Sequence, residues 1–97
     1  MSIIQNLNKA FENRVRLGVM SILIINDQID FNSLKELLEV TDGNLASHIS
    51  ALEKKEYISV FKEFVGKKPK TTYSITPLGK TAFQEHLLAL ENLIKGN

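Results

Sequence analysis

Apolar residues recur at helical spacing through the first quarter of the chain. Leu7, Phe11 and Val15 stand four residues apart, and Val15, Val19, Ile22 and Leu23 continue the stripe, predicting a short first helix and a longer second one within Ile3 to Ile25. Asn13 suits the N-cap of the second, because its side-chain carbonyl can accept from the free N–H groups of a first helical turn. Leu17, Met20 and Ile24 make a second apolar stripe on roughly the opposite face, which a lone surface helix would not leave in water. Asn26 and Asp27 then break the pattern. Ile29 to Phe31 can form a very short strand, and Asn32 or Ser33 is placed to cap a helix over Ser33 to Leu38 with Leu34, Leu37 and Leu38 facing the core.

A tight turn follows at Val40. Thr41 is a natural N-cap, and Asp42 puts negative charge on the positive end of a helix running to about Lys55. Residues Ile58 to Val65 and Thr71 to Ile75 are rich in β-branched and aromatic types, so they read as two strands joined by a hairpin loop at Gly66-Lys67-Lys68-Pro69-Lys70. Thr76-Pro77 opens a last helix to about Ile94, since proline at the first helical position loses no needed N–H. Its apolar stripe is Phe83, Leu87, Leu90 and Ile94, widened by Leu88.

The 97 residues suffice for one domain, residues 1–97, with a mainly α fold carrying a small β-hairpin (α+β). Hydrophobic residues make up 43% and charged residues 24%, an ordinary globular balance that argues against disorder. The absence of cysteine excludes disulfides and thiolate metal sites. Met1 to Asn8 lacks the blocks of a signal peptide, and the longest apolar run, Ile22 to Ile25, is far too short for a bilayer, so a cytoplasmic location without membrane contact is expected. No nucleophile and base pair, phosphate loop or metal cluster is visible, so no enzyme, cofactor or metal is expected; His48 and His86 are the two histidines, without carboxylates at metal-ligand spacing.

A net charge of +1 says little, but its distribution says more. Lys54, Lys55, Lys62, Lys67, Lys68 and Lys70 face only Glu56 and Glu63 over residues 54–70, a local excess of +4. In the helix after Thr41, Leu45, Ile49 and Leu52 fall on one side and predict burial, while Gly43, Asn44, Ser47, Ser50, Ala51 and Lys54 collect on the other. Small, polar and basic side chains suit close approach to base edges and phosphates in a major groove. Solvated faces more often carry long Glu and Lys side chains.

The order helix, strand, helix, turn, helix, hairpin, helix is that of a winged helix. The chain resembles the winged-helix DNA-binding regulators of bacteria and archaea near the MarR and ArsR groups. The resemblance rests on Arg16-Leu17 and the apolar residues after it, on Thr41 to Ile49 with Leu52-Glu53, and on Thr71 to Gly79. It departs at Arg14, where relatives often have proline, and at Ala51, where a basic residue is common and whose phosphate contact is therefore in doubt.

The expected partner is double-stranded DNA. The contact set is Arg14, Arg16, Ser33, Thr41, Gly43, Asn44, Ser47, His48, Ser50, Ala51 and Lys54, with Lys67, Lys68, Lys70, Thr71 and Thr72 of the wing on the backbone or minor groove. Arg16 either meets phosphate or lies across the domain surface, and His48, at the edge of the buried face, either touches DNA or packs. A homodimer is expected from residues 1–12 and 77–97 as helical extensions, through Ile3, Ile4, Leu7, Phe11, Leu17, Met20, Ile24, Phe83, Leu87, Leu90 and Ile94. The alternatives are a last helix folded back on its own domain, and a winged helix that binds proteins and not DNA. The resemblance also allows a small-molecule effector, whose chemistry no polar cluster identifies.

Overall fold

The computed structural model describes residues 2–96. A 3-10 turn at Lys9–Phe11 leads into α1 (Arg14–Leu23), β1 (Ile29–Asp30), α2 (Phe31–Leu38), α3 (Asp42–Lys54), β2 (Ile58–Val65), β3 (Lys68–Ile75) and α4 (Pro77–Lys95). The strands form one antiparallel sheet in the order β1-β3-β2, with Ile29 opposite Tyr73 and Ile58 opposite Ile75. The winged-helix layout read from the sequence is therefore present, as an α+β fold.

Local chemistry sets most helix starts. The side-chain oxygens of Asn13, Thr41 and Thr76 accept from backbone N–H groups of α1, α3 and α4, each satisfying donors that have no partner inside the helix. The α2 cap differs from expectation. Asp30 takes the role, its carboxylate accepting from the Ser33 N–H at 3.2 Å and the Ser33 hydroxyl at 2.6 Å, so α2 starts at Phe31 and Ser33 is already within its first turn.

The core joins Phe11, Val19, Met20, Leu23, Leu34, Leu45, Ile49, Leu52, Ile58, Tyr73 and Phe83 in one cluster. Three residues assigned to a dimer interface are thereby corrected. Phe11, Met20 and Phe83 are buried within the single chain, packed by its own helices, and offer no surface to a second copy. Leu37, expected in the core, is exposed because α2 turns Leu34 inward. In α4 the covered residues are Gly79, Phe83, His86 and Ala89, with Ala82, Leu90 and Leu93 half-buried, which leaves Leu78, Leu87, Leu88 and Ile94 outside.

The N-terminal extension is not the helix that the Leu7–Phe11 spacing predicts. Residues 3–7 form turns, and Asn8 fixes the chain through its N–H and its side chain. Its N–H donates to His86 Nδ1 at 3.0 Å, its Nδ2 donates to the Tyr57 hydroxyl at 3.1 Å, and its Oδ1 accepts from the Ala10 N–H at 2.9 Å. The His86 ring also meets Phe11 edge-on, with centroids 5.4 Å apart. Met1, part of the same predicted extension, lies outside the described residues.

A second junction holds the sheet to α4. Thr76 donates from its hydroxyl to the Glu56 carbonyl at 2.7 Å and from its N–H to the Tyr57 carbonyl at 3.0 Å. Gly79 lies so close that an added Cβ would sit 2.0 Å from the Tyr57 carbonyl oxygen. Gly→Ala inside a helix ordinarily stabilises. Here the clash is with backbone, so Gly79→Ala is expected to reverse that sign and cost about 1–3 kcal/mol, read as a lower denaturant midpoint at unchanged m-value.

Burial holds the His86 pKa below the ordinary 6.5, outweighing the opposite pull of Glu12. Well above 6.5 the ring is neutral in both folded and unfolded chains and contributes no slope. As pH falls below that value the unfolded chain takes up its proton first, and stability drops until the folded pKa is passed. The melting temperature is expected to fall as pH is lowered through 6.5, and to fall less in His86→Gln, where His48, lowered in the same sense, still contributes.

Candidate nucleic-acid interface

Helix α3 has two faces of different kind. Leu45, Ile49 and Leu52 are buried, whereas Gly43, Asn44, Ala46, Ser47, Ser50 and Lys54 are exposed and Ala51 is half-buried. Its start is fixed by the Thr41 cap, with Oγ1 accepting from the Asn44 N–H at 3.1 Å, and by an ion pair of 2.8 Å between Lys35 of α2 and Asp42. A Cβ added at Gly43 would meet no atom within 4 Å, so the glycine is not required by packing and the space beside it is open. Among the described residues, the side chains of Asn44, Ser47 and Ser50 make no hydrogen bond; the Thr41 cap engages Asn44 only through its N–H. Their donors and acceptors are left for something outside the chain.

His48 sits at the boundary of the two faces. Arg16 Nη1 lies 2.9 Å from His48 Nδ1, and Arg16 Nε donates to the Ala10 carbonyl at 2.6 Å. A guanidinium only donates, so Nδ1 accepts and the proton of the neutral ring is on Nε2. Burial and then the Arg16 charge hold the His48 pKa below its ordinary value, in keeping with that neutral form. Of the two roles open to Arg16, the structure builds the bridging one: it ties the 3-10 turn to α1 and α3.

Arg14 is free of such bonds and lines an open groove of about 590 Å³ with Asn13, Leu37, Val40, Asn44 and His48. The fold thus brings Arg14, Asn44 and His48 to one groove, while Ala51 lies by Arg16 and Lys55 in another. Ser33 is only half-exposed, and its hydroxyl proton is engaged by Asp30. That bond keeps the Asp30 carboxyl below its usual range against burial, which pushes it up, and Lys70 adds a smaller lowering.

The wing differs from the expected five-residue loop. β3 begins at Lys68, so the turn is only Gly66 and Lys67, with Gly66 at φ 67°, where two-residue hairpins of type II′ place glycine. Residues 61–70 are all exposed, which keeps Lys67, Lys68 and Lys70 at the surface, although Lys70 stands opposite Glu63. Thr71 is half-buried. Thr72 is a correction: it is buried between β1 and β2, opposite Asp30 and Phe61, and its hydroxyl donates to the Phe61 carbonyl at 3.5 Å, so it has no surface for DNA. Sequence reasoning left out Ala46 and Lys62. Both are exposed; strand alternation puts Lys62 on the ribbon face of Thr71, and the helical period puts Ala46 on the flank of α3 beside Ser50.

Among the described residues, no group of three or more His, Cys, Asp or Glu is placed to hold a metal ion, and no helix is long and apolar enough to cross a membrane. The family model described as "Winged helix DNA-binding domain" matches residues 15–94. An uncharacterized protein of Methanocaldococcus jannaschii is 33% identical over 87 residues, covering 90% of this chain and 95% of the relative. The solved structure of a transcriptional regulator homologue from Pyrococcus horikoshii OT3 superposes with a TM-score of 0.85 at 31% identity, covering 97% of this chain and 91% of that one. A putative transcriptional regulator from Salmonella typhimurium does so with a TM-score of 0.74 at 26% identity, covering 92% and 78%. With its outward-facing α3, its basic hairpin and these relatives in agreement, the chain belongs to the winged-helix DNA-binding domain family, of the MarR-like type found in transcriptional regulators.

Proposed function

We propose that this protein is a non-catalytic, homodimeric transcriptional regulator that reads double-stranded DNA by laying α3 in the major groove and the wing on the backbone or minor groove. The observation that carries the reading is the outward arc of α3, whose short polar side chains are exposed and without hydrogen bonds to the rest of the chain. Thr41, Gly43, Asn44, Ser47, Ser50 and Ala51 form the reading surface, with His48 offering Nε2–H. Arg14, Lys54, Lys67, Lys68, Lys70 and Thr71 meet phosphates. Acting on DNA places the protein in the compartment that holds it.

The dimer is supported by the apolar surface left over by the fold. Ile3, Ile4, Leu87, Leu88 and Ile94 are exposed, Ile94 to 87%, and Leu7, Leu17, Ile24 and Leu90 are half-buried, Leu17 and Ile24 against the core. Leu87, Leu90 and Ile94 follow one another along a single face of α4, the pattern of a helix that packs on a partner helix. A two-fold axis there would present two copies of α3 to successive major grooves, about 34 Å apart.

Fluorescence polarisation against sheared genomic DNA is expected to show binding at low ionic strength that weakens as salt is raised. The triple change of Lys67, Lys68 and Lys70 to Ala should weaken binding to all sequences and flatten the logarithmic salt slope by up to about 3, roughly 0.9 per lost phosphate contact. Asn44→Ala with Ser47→Ala should instead alter which duplexes are retained from a random pool. Full tolerance of Ser47→Glu would overturn the reading, because a carboxylate there would face the DNA.

Sedimentation should give twice the chain mass for the unaltered protein. Leu87→Glu with Ile94→Glu should give the single-chain mass at unchanged helix content, since both residues are exposed in the single chain.

A further inference from the structure

The root and the tip of the hairpin are built differently. β1 pairs with β3 only at Thr72 and Tyr73, so beyond those residues the wing is a two-stranded ribbon with both faces in solvent. Two-stranded ribbons are commonly kept soluble by charge, and this one carries four lysines, Lys62, Lys67, Lys68 and Lys70, against Glu63. It nevertheless holds Phe64 with 74% of its surface exposed. Phe64 does not pack on the core, and directly across the ribbon stands Pro69. Side chains alternate along a strand, so Phe64 and Pro69 share one face with Lys62 and Thr71, with Lys67 at the turn beyond.

An aromatic ring held out on a stiff ribbon contributes little to folding and is a liability in water unless something receives it. The surrounding lysines define the receiver as anionic, and the ring requires a flat apolar surface between the negative charges. A step between stacked base pairs, flanked by phosphates, has both properties. Pro69 fixes the backbone behind the ring and adds apolar bulk, as a side chain that must push between bases requires. We propose that Phe64, backed by Pro69, is a wedge that enters the minor groove, partly unstacks one base step and bends the duplex, with Lys62 and Lys67 on the adjoining phosphates. This rests on the DNA reading given above and adds to it a deformation of the DNA, beyond simple contact by a basic tip.

The test uses a 30-bp duplex retained by the unaltered protein from a random pool, end-labelled for energy transfer and carrying 2-aminopurine at successive positions in a series. Binding is expected to bring the ends closer and to brighten 2-aminopurine at one step per wing. Phe64→Ala should keep the melting temperature and the salt slope, weaken binding about tenfold, and lose both the bend and the brightening. Phe64→Trp should restore them, with quenched tryptophan emission. A bound duplex that stays straight with the unaltered protein, or bends equally with Phe64→Ala, overturns the wedge and leaves the DNA reading standing. Failure of the unaltered protein to bind any duplex at low salt overturns both. The wedge also falls if Phe64→Ala leaves DNA behaviour intact but changes the sedimenting mass or abolishes binding to phosphatidylserine vesicles, since the ring would then belong to a second copy or to a lipid surface.

Discussion

Everything outward on this protein is positioned by what α3 buries. Leu45, Ile49 and Leu52 enter a core shared with Val19, Met20 and Leu23 of α1 and Leu34 of α2. Each such aliphatic side chain is worth about 1.5–3 kcal/mol when removed from water, more than any single polar contact on the exposed side. That burial fixes the rotation of α3 about its axis. Gly43, Asn44, Ser47 and Ser50 therefore face solvent without contributing to their own placement, and substitutions among them cost the fold little.

The edges of α3 are set by polar contacts of another kind. The Arg16 guanidinium spans from the Ala10 carbonyl to the His48 ring, and it does so only while that ring is neutral, because an imidazolium has no acceptor for it. Lys35 and Asp42 play a looser, solvent-screened part at the start of the helix. The proposed reading surface is thus tied at mid-helix through a charge-assisted, partly covered bond and at its start through an exposed ion pair.

Much of this was legible in the sequence because much of it is local. Asn13, Thr41 and Thr76 act within three residues of themselves, and a cap needs only the right side chain at a helix start. The ordering of helices and strands followed from periodicity together with caps, breakers and β-branched runs. What was misread depended on contacts distant in sequence. Leu7 and Phe11 have helical spacing, but Asn8 is claimed by His86, 78 residues away, and the backbone between them turns instead. Phe11, Met20 and Phe83 looked surplus to one domain because a stripe does not reveal how many sides the core will close upon it. Asp30 and Ser33 are both good caps, and a choice between them depends on where β3 holds Ile29 and Asp30. The basic tip looked like a loop since Lys-Pro-Lys is poor strand sequence, yet an unpaired outer edge tolerates a proline that a central strand would not.

The junction of Thr76, Gly79 and the Glu56–Tyr57 backbone has a mechanical meaning. It leaves no slack between the root of the wing and the first turn of α4, so the hairpin and the long helix must tilt as one beam. In an assembly joined along α4, a small change in the angle at which the two helices cross would be carried to the hairpin tips as a displacement that grows with distance from the crossing. Spacing along the duplex would then be governed far from any base.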